Sequence, residues 1–308
     1  MAERRSWWRW AQIILAIGII AFAGRKLVRE WNAFQGQAIE WQVGPLWLIL
    51  SLVIVWLSYA ILVEGWRRVV LGMRQRLGYL EAVRICMVSN LGKYLPGKVW
   101  AIAGAALMAE RAGVQPGAAV AAAFILQALS LASGLLLVAL LAPEAMQSLG
   151  AGSRVALIVL AVLALGGLVV FAVPGLLGVI RRWLPKSIAG IEPVPVGPLV
   201  LGLVANAIGW SAYGLAFLCL IRGLTPDASV SWAQATAVFT TSYLVGLIAA
   251  VSPGGLGTRE LAFTLLLTPA VGAQVATALA IATRLLLTIT ELGAALPFLS
   301  ATRAPRTS

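Results

Sequence analysis

The sequence predicts an all-α polytopic membrane protein of about six full spans and two re-entrant or broken helical hairpins, eight membrane elements if the hairpins also span. Three observations predict it. Only 11% of the 308 residues are charged and 61% are hydrophobic, with a mean hydropathy of +0.94, whereas soluble domains carry about 25% charged residues. The apolar residues are gathered into runs of about 20, the length of helix that crosses a ~30 Å hydrocarbon core. Two further apolar stretches are each interrupted by a Pro-Gly pair, at matching places in two halves of the chain.

Residues 7–24 form the first predicted span. Their basic start and Ala21-Phe22-Ala23 are also compatible with a signal peptide, but the stretch runs directly into Arg25-Lys26 and more spans follow, so an uncleaved anchor is expected. Trp7, Trp8 and Trp10 suit one interfacial belt and Trp31, Trp41 and Trp47 the other. The second span covers 45–63 and is followed by a loop carrying Arg67, Arg68, Arg74 and Arg76, with Glu64 near enough to pair with either of the first two. A helix over 79–95 breaks at Leu95-Pro96-Gly97 and a short helix follows over 98–111. Spans are expected at 117–141, 153–173 and 198–221. A helix over 231–251 breaks at Ser252-Pro253-Gly254-Gly255-Leu256-Gly257, and a short helix over 258–268 leads through Pro269 into the last span, 271–298.

The chain thus reads as one transmembrane domain, 1–308. It comprises an N-terminal span 7–24, a first repeat half 45–141, an extra span with a cytoplasmic linker 153–197, and a second repeat half 198–298. Proline lacks a backbone donor and glycine frees the backbone, so helices are expected to stop at both Pro-Gly pairs. The short pieces of about 15 residues reach ~22 Å at 1.5 Å per residue, less than the core thickness. Counting crossings makes the two halves inverted relative to each other. Fourteen of the 23 Lys and Arg residues then fall on the side of the amino terminus and five on the other. The positive-inside rule makes that richer side the cytoplasm, so both termini are expected to be cytoplasmic in a bacterial-type inner membrane.

The composition narrows the chemistry. There is no histidine, hence no ordinary neutral-pH base or imidazole metal ligand. Cys86 and Cys219 form no CxxC pair and sit in apolar stretches, where they read as small buried hydrophobes. No phosphate-binding GxxxxGK[ST] loop occurs. No enzymatic activity, metal or cofactor is expected. The net charge of +12 reads as basic loops facing anionic lipid rather than as a nucleic-acid surface.

Four cations remain at or near membrane depth: Lys93, Lys98, Arg259 and Arg284, with Glu260 and Glu291 close in sequence. Charges there cost ~2.5–3.5 kcal/mol each on insertion scales and commonly mark a pathway or a site. They are read either as an ion-pair network holding the second hairpin to the last span or as an anion site with surplus positive charge. Helix starts after Pro96-Gly97 and after Pro253-Gly254-Gly255-Leu256-Gly257 aim backbone N–H groups at the same region. Asn90 and Gln127 either line that region or bond between helices.

Asn90-Leu-Gly-Lys93-Tyr-Leu-Pro96-Gly97-Lys98-Val-Trp100, then Arg111-Ala-Gly113-Val114, then Pro253-Gly-Gly-Leu-Gly257-Thr-Arg259-Glu260 resemble the membrane domain of lysylphosphatidylglycerol synthases and its stand-alone relatives. The resemblance covers nearly the whole chain. It implies a flippase-like protein, serving aminoacylated phospholipids in the synthases and polyprenyl-linked sugars elsewhere. It places Pro96, Gly97, Pro253, Gly254, Gly255, Gly257, Arg259 and Glu260 at the lipid-handling site. Many relatives carry an acidic residue soon after the first Pro-Gly, where this chain has Val99-Trp100. Only ten residues follow position 298, so the synthases' soluble aminoacyltransferase domain is not expected.

The expected function is that of a lipid translocase for an anionic, phosphate-containing headgroup, with membrane lipid as the partner. The alternatives are a secondary transporter of a small anionic solute and a non-transporting membrane partner of a glycosyltransferase or lipid-modifying enzyme.

Overall fold

The computed structural model describes residues 43–94, 99–141, 151–182, 192–248 and 257–299, with positions 25, 28 and 32. Among these residues every regular element is helical: α1 Pro45–Gly72, α2 Tyr79–Asn90, a 3₁₀ turn Leu91–Tyr94, α3 Val99–Arg111, α4 Pro116–Leu141, α5 Ala151–Ala172, α6 Pro174–Arg181, α7 Val196–Leu224, α8 Trp232–Ile248, α9 Thr258–Val271 and α10 Ala273–Leu299. Five of them, α1, α4, α5, α7 and α10, are long and apolar enough to cross a membrane. They coincide with the spans expected at 45–63, 117–141, 153–173, 198–221 and 271–298. The span expected at 7–24 and both Pro-Gly breaks lie outside the described residues.

The centre of the bundle is the antiparallel pair α1 and α7. At one end Gly44 N donates to Gly223 O at 2.8 Å. Further along, Ser51 Oγ donates to Ala216 O at 2.7 Å, and Gly65 faces Gly202 and Ala205. At the other end Gly72 faces Val194 and Pro198. Small residues recur along this seam because lipid supplies no hydrophobic drive between helices. Close backbone approach, with its dispersion contacts, takes that part.

Around the pair, α2 packs on α3 and α3 on α4, while α8 packs on α9 and α9 on α10. The segments expected as the two halves, α1–α4 and α7–α10, interlock, since α10 lies against α1 and α2, and α4 lies against α7 and α8. Each pairing therefore has a counterpart when one half is exchanged for the other. α10 is central and mostly buried, whereas α5 is peripheral and mostly exposed. The exposed face of α5, including Val162 and Leu163 at 64% exposure each, suits hydrocarbon.

The boundaries differ from the sequence reading in four places. The span expected to end at 63 continues as α1 to Gly72, so Arg67 and Arg68 lie on the helix rather than in a loop, where Glu64 one turn back meets them. The helix expected to run to 95 ends at Asn90 and tightens into the 3₁₀ turn, a common ending where a helix approaches a proline. The short helix expected to stop at 268 continues through Pro269 to Val271 and ends at Gly272, whose φ is 81°. Pro269 removes one donor and leaves the carbonyl four residues back without its helix partner, but the helix continues for less than a turn beyond it, and Gly272 supplies the left-handed conformation that ends it. Residues 174–181 form α6, begun by Pro174 at its first position. The linker packs back on α5, where Val194, fully buried, donates its N–H to Phe171 O at 2.9 Å.

Candidate functional site

Two contiguous cavities of about 140 and 210 Å³ lie between the halves, sharing Asn90, Lys93, Gln127, Tyr243 and Glu291 in their walls. The smaller one is also lined by Arg259 and Arg284. α2 and the 3₁₀ turn carry Asn90 and Lys93; α4 carries Gln127; α9 carries Arg259; α10 carries Arg284, Thr288 and Glu291. Helical spacing explains the α10 contribution, since residues three, four and seven apart share a face. Gln127 and Arg284 lie equally far along α4 and α10 from their first residues, on opposite halves of the cavity.

Among the described residues, each of the two carboxylates here meets a cation. Lys93 Nζ bonds Glu291 Oε1, and Tyr94 Oη donates to Glu291 Oε2 at 2.7 Å. Both oxygens of a carboxylate that is 6% exposed are thereby engaged, which is the condition for keeping a charge in a low-dielectric interior. Arg284 pairs with Glu260. Glu260 Oε2 also accepts the Gly257 N–H at 2.7 Å, so this carboxylate caps α9 and neutralises α10 together. The Gly257 N–H, expected from the sequence to face an anionic ligand, is therefore occupied by the chain's own Glu260.

Arg259 packs on aromatic faces, its Cζ lying 5.4 Å from the Phe239 centroid and 5.3 Å from that of Tyr243. Both distances fall within the ~6 Å range of cation–π attraction. Phe239 is stacked on Tyr213 at 5.2 Å and 13°, and Tyr243 meets Trp210 edge-on at 5.1 Å. This cluster forms a wall of the larger cavity. At Gly246 an added Cβ would approach Arg259 Cβ to 3.0 Å, so the absence of a side chain there lets α8 and α9 close up beside the cavity.

Of the residues singled out from the sequence, the structure brings Asn90, Lys93, Arg259, Arg284 and Glu291 to one cavity. Glu260 stands behind Arg284, and Gly257 begins α9. Pro96, Gly97, Lys98, Pro253, Gly254 and Gly255 lie outside the described residues, but residues flanking both breaks, Tyr94 and Ala101 on one side and Leu247 and Arg259 on the other, line the same cavity. Sequence reasoning missed Tyr94, Tyr213, Phe239 and Tyr243. Tyr94 had a signal in its position between Lys93 and Pro96; the others, single aromatics in apolar helices, had none. Near the end of α1, Glu64 pairs with both Arg67 and Arg68, at 3.1 and 2.5 Å.

The family described as Lysylphosphatidylglycerol synthase TM region matches residues 9–293. The chain belongs to this family. Membrane regions of the lysylphosphatidylglycerol synthase type are flippase-like in general, and the match takes in every residue of the cavity. No curated protein matches the chain. As a multi-pass member of the lysylphosphatidylglycerol synthase TM-region family, the chain has membrane lipid as its surroundings.

Proposed function

We propose that the chain is a lipid translocase, without enzymatic activity of its own, that draws an anionic, phosphate-containing headgroup into the cavity between its halves. A phospholipid or a polyprenyl-phosphate-linked sugar supplies such a headgroup. The observation that carries this reading is the charge balance at the cavity. Among the described residues, three cations, Lys93, Arg259 and Arg284, stand against two carboxylates, Glu260 and Glu291, in a site closed in by helices from both halves. Arg259 lies over the rings of Phe239 and Tyr243, and its planar fork matches two phosphate oxygens.

The reading includes an inverted-topology repeat in the inner membrane with both termini cytoplasmic. Support comes from α1 and α7, which start the two halves and run antiparallel, and from helix pairings that recur on exchanging the halves. Equivalent helices that run antiparallel are what a two-fold axis in the membrane plane produces.

The full chain reconstituted in vesicles tests the proposal, using fluorescent acidic and zwitterionic phospholipid analogues. The acidic lipid is expected to change leaflets faster than in protein-free vesicles, and to be enriched among lipids that copurify with the protein by mass spectrometry. Equal rates with and without protein for both lipids would refute it. A second reading, transport of a small anionic solute, is favoured by cavity volumes of about 140 and 210 Å³, below the ~300–1,000 Å³ of ordinary ligand sites. Uptake of glycerol phosphate without lipid movement would select it.

A further inference from the structure

A third cavity, about 320 Å³, lies on the outer face of the bundle between α1, α2 and α10. Trp56, Ala60, Tyr79, Val83, Gly293 and Pro297 line it. It opens sideways: Trp56 is 48% and Tyr79 42% exposed, on helices whose outer surfaces face hydrocarbon. Its aromatic polar atoms are engaged inward. Trp56 Nε1 donates to Thr290 O at 3.2 Å, and Tyr79 Oη donates to Ala60 O at 3.2 Å. What the groove offers is an apolar trough with a fixed floor.

The trough backs directly onto the charged site, with one layer of side chains between them. Tyr59, Val63 and Met87 line both the groove and the larger inner cavity. On their inner side stand Asn90, Lys93 and Glu291. Tyr59 is held at the wall by a 3.2 Å hydrogen bond with Thr290, the residue before Glu291, while Met87 is an unbranched, adaptable side chain. One turn of α10 thus turns a carboxylate inward and small residues outward.

We infer that the α1–α2–α10 groove seats an acyl chain of a membrane lipid whose phosphate headgroup enters the cation-lined cavity past Tyr59 and Met87. The inference rests on the headgroup reading of that cavity and adds the route and the tail site. A hydrocarbon tail gains little by exchanging lipid for an apolar groove, so the groove acts as a guide and selectivity comes from the charges behind the wall. A water-soluble anion has no use for such a trough, whereas an amphiphile matches both sides of the wall at once.

The test uses the full chain in mixed phosphatidylglycerol and phosphatidylcholine vesicles, with a photocrosslinking benzoylphenylalanine in place of Trp56, aromatic for aromatic at the groove wall, or, as a control on the lipid face of α4, at Leu140, which is 71% exposed. Adducts at position 56 are expected to be enriched severalfold in phosphatidylglycerol over those at Leu140, and Lys93→Met is expected to remove the enrichment. Separately, Gly293→Trp and Ala60→Phe fill the groove. At Gly293 the first added atom meets Trp56 at an ordinary 3.5 Å. Both variants are expected to lose phosphatidylglycerol translocation while still binding glycerol phosphate, a result that also shows the inner site is folded. Bulk-like adducts at position 56, or undiminished translocation in both filled variants, overturn the groove and leave the headgroup site standing. Failure of the unmodified protein to bind glycerol phosphate or to move phosphatidylglycerol overturns the headgroup reading instead.

Discussion

Lys93, on the 3₁₀ turn after α2, and Glu291, on α10, form an ion pair across 198 residues of sequence and across the interface between the two halves. Glu291 is 6% exposed and Lys93 25%. The pair therefore sits at the edge of the cavity rather than in a fully dry core, and it ties the end of α2 to the central helix of the other half.

Removing one partner is worse than removing both. Lys93→Met leaves a buried carboxylate with, among the described residues, the Tyr94 hydroxyl as its remaining partner. It is expected to destabilise by about 3 kcal/mol, the low end for a buried pair, because Lys93 is partly solvated. Lys93→Met combined with Glu291→Gln is expected to recover most of that loss. Thermal unfolding in detergent measures both, and equal loss in the single and double variants would contradict the pairing.

Arg259→Lys separates charge from shape. Lysine keeps the positive charge but lacks the planar fork that stacks on Phe239 and Tyr243 and grips two oxygens. Lipid movement is expected to fall by about tenfold, corresponding to the ~1.4 kcal/mol of one lost charge-assisted contact, with little change in the unfolding midpoint. Full activity of the lysine variant in vesicles would remove Arg259 from the site. Arg259→Met with Glu260→Gln takes the test further, since the glutamine oxygen can still accept the Gly257 N–H and spare the α9 cap. An active, folded double variant would make these charges structural.

Gly92 and Gly104 contrast two kinds of glycine. A Cβ at Gly92 would lie 2.8 Å from the backbone nitrogen of Ala101, whereas at Gly104 the nearest heavy atom is Ser89 Cβ at 3.5 Å. Gly92→Ala is expected to force the 3₁₀ turn away from α3, destabilise by about 1–3 kcal/mol and loosen the Lys93–Glu291 pair. Gly104→Ala, in a helix interior with room for a methyl group, is expected to be neutral or to stabilise by up to about 1 kcal/mol. Unfolding midpoints of the two variants check the order, and a tolerated Gly92→Ala would show that the turn is not held by close approach.

The topology predicts that the 181–197 linker faces the cytoplasm, on the basis of Arg181, Arg182 and Lys186. In a background with Cys86 and Cys219 replaced by alanine, Gly190→Cys is expected to resist a membrane-impermeant thiol reagent in intact cells and to react after permeabilisation. Labelling in intact cells would reverse the orientation.

Hydropathy alone determined that the chain is a helical bundle for a bilayer, and where five of its spans run. A spanning helix satisfies all its backbone groups within one segment, so its signal is local and complete in about 20 residues. The buried charges were legible for a related reason, because Lys93, Arg259, Glu260, Arg284 and Glu291 stand out against an apolar background. Which charge meets which was decided by tertiary structure. Glu260 turns to Arg284 and its own helix cap, Glu291 to Lys93 and Tyr94, and Arg259 to an aromatic face. The aromatic wall was invisible in sequence because Tyr213, Phe239 and Tyr243 look like any other apolar positions until α7 and α8 pack together. The acyl groove had to wait for the fold as well, since no single helix contains it: its walls come from α1, α2 and α10, and a cavity is a property of the space those helices leave between them.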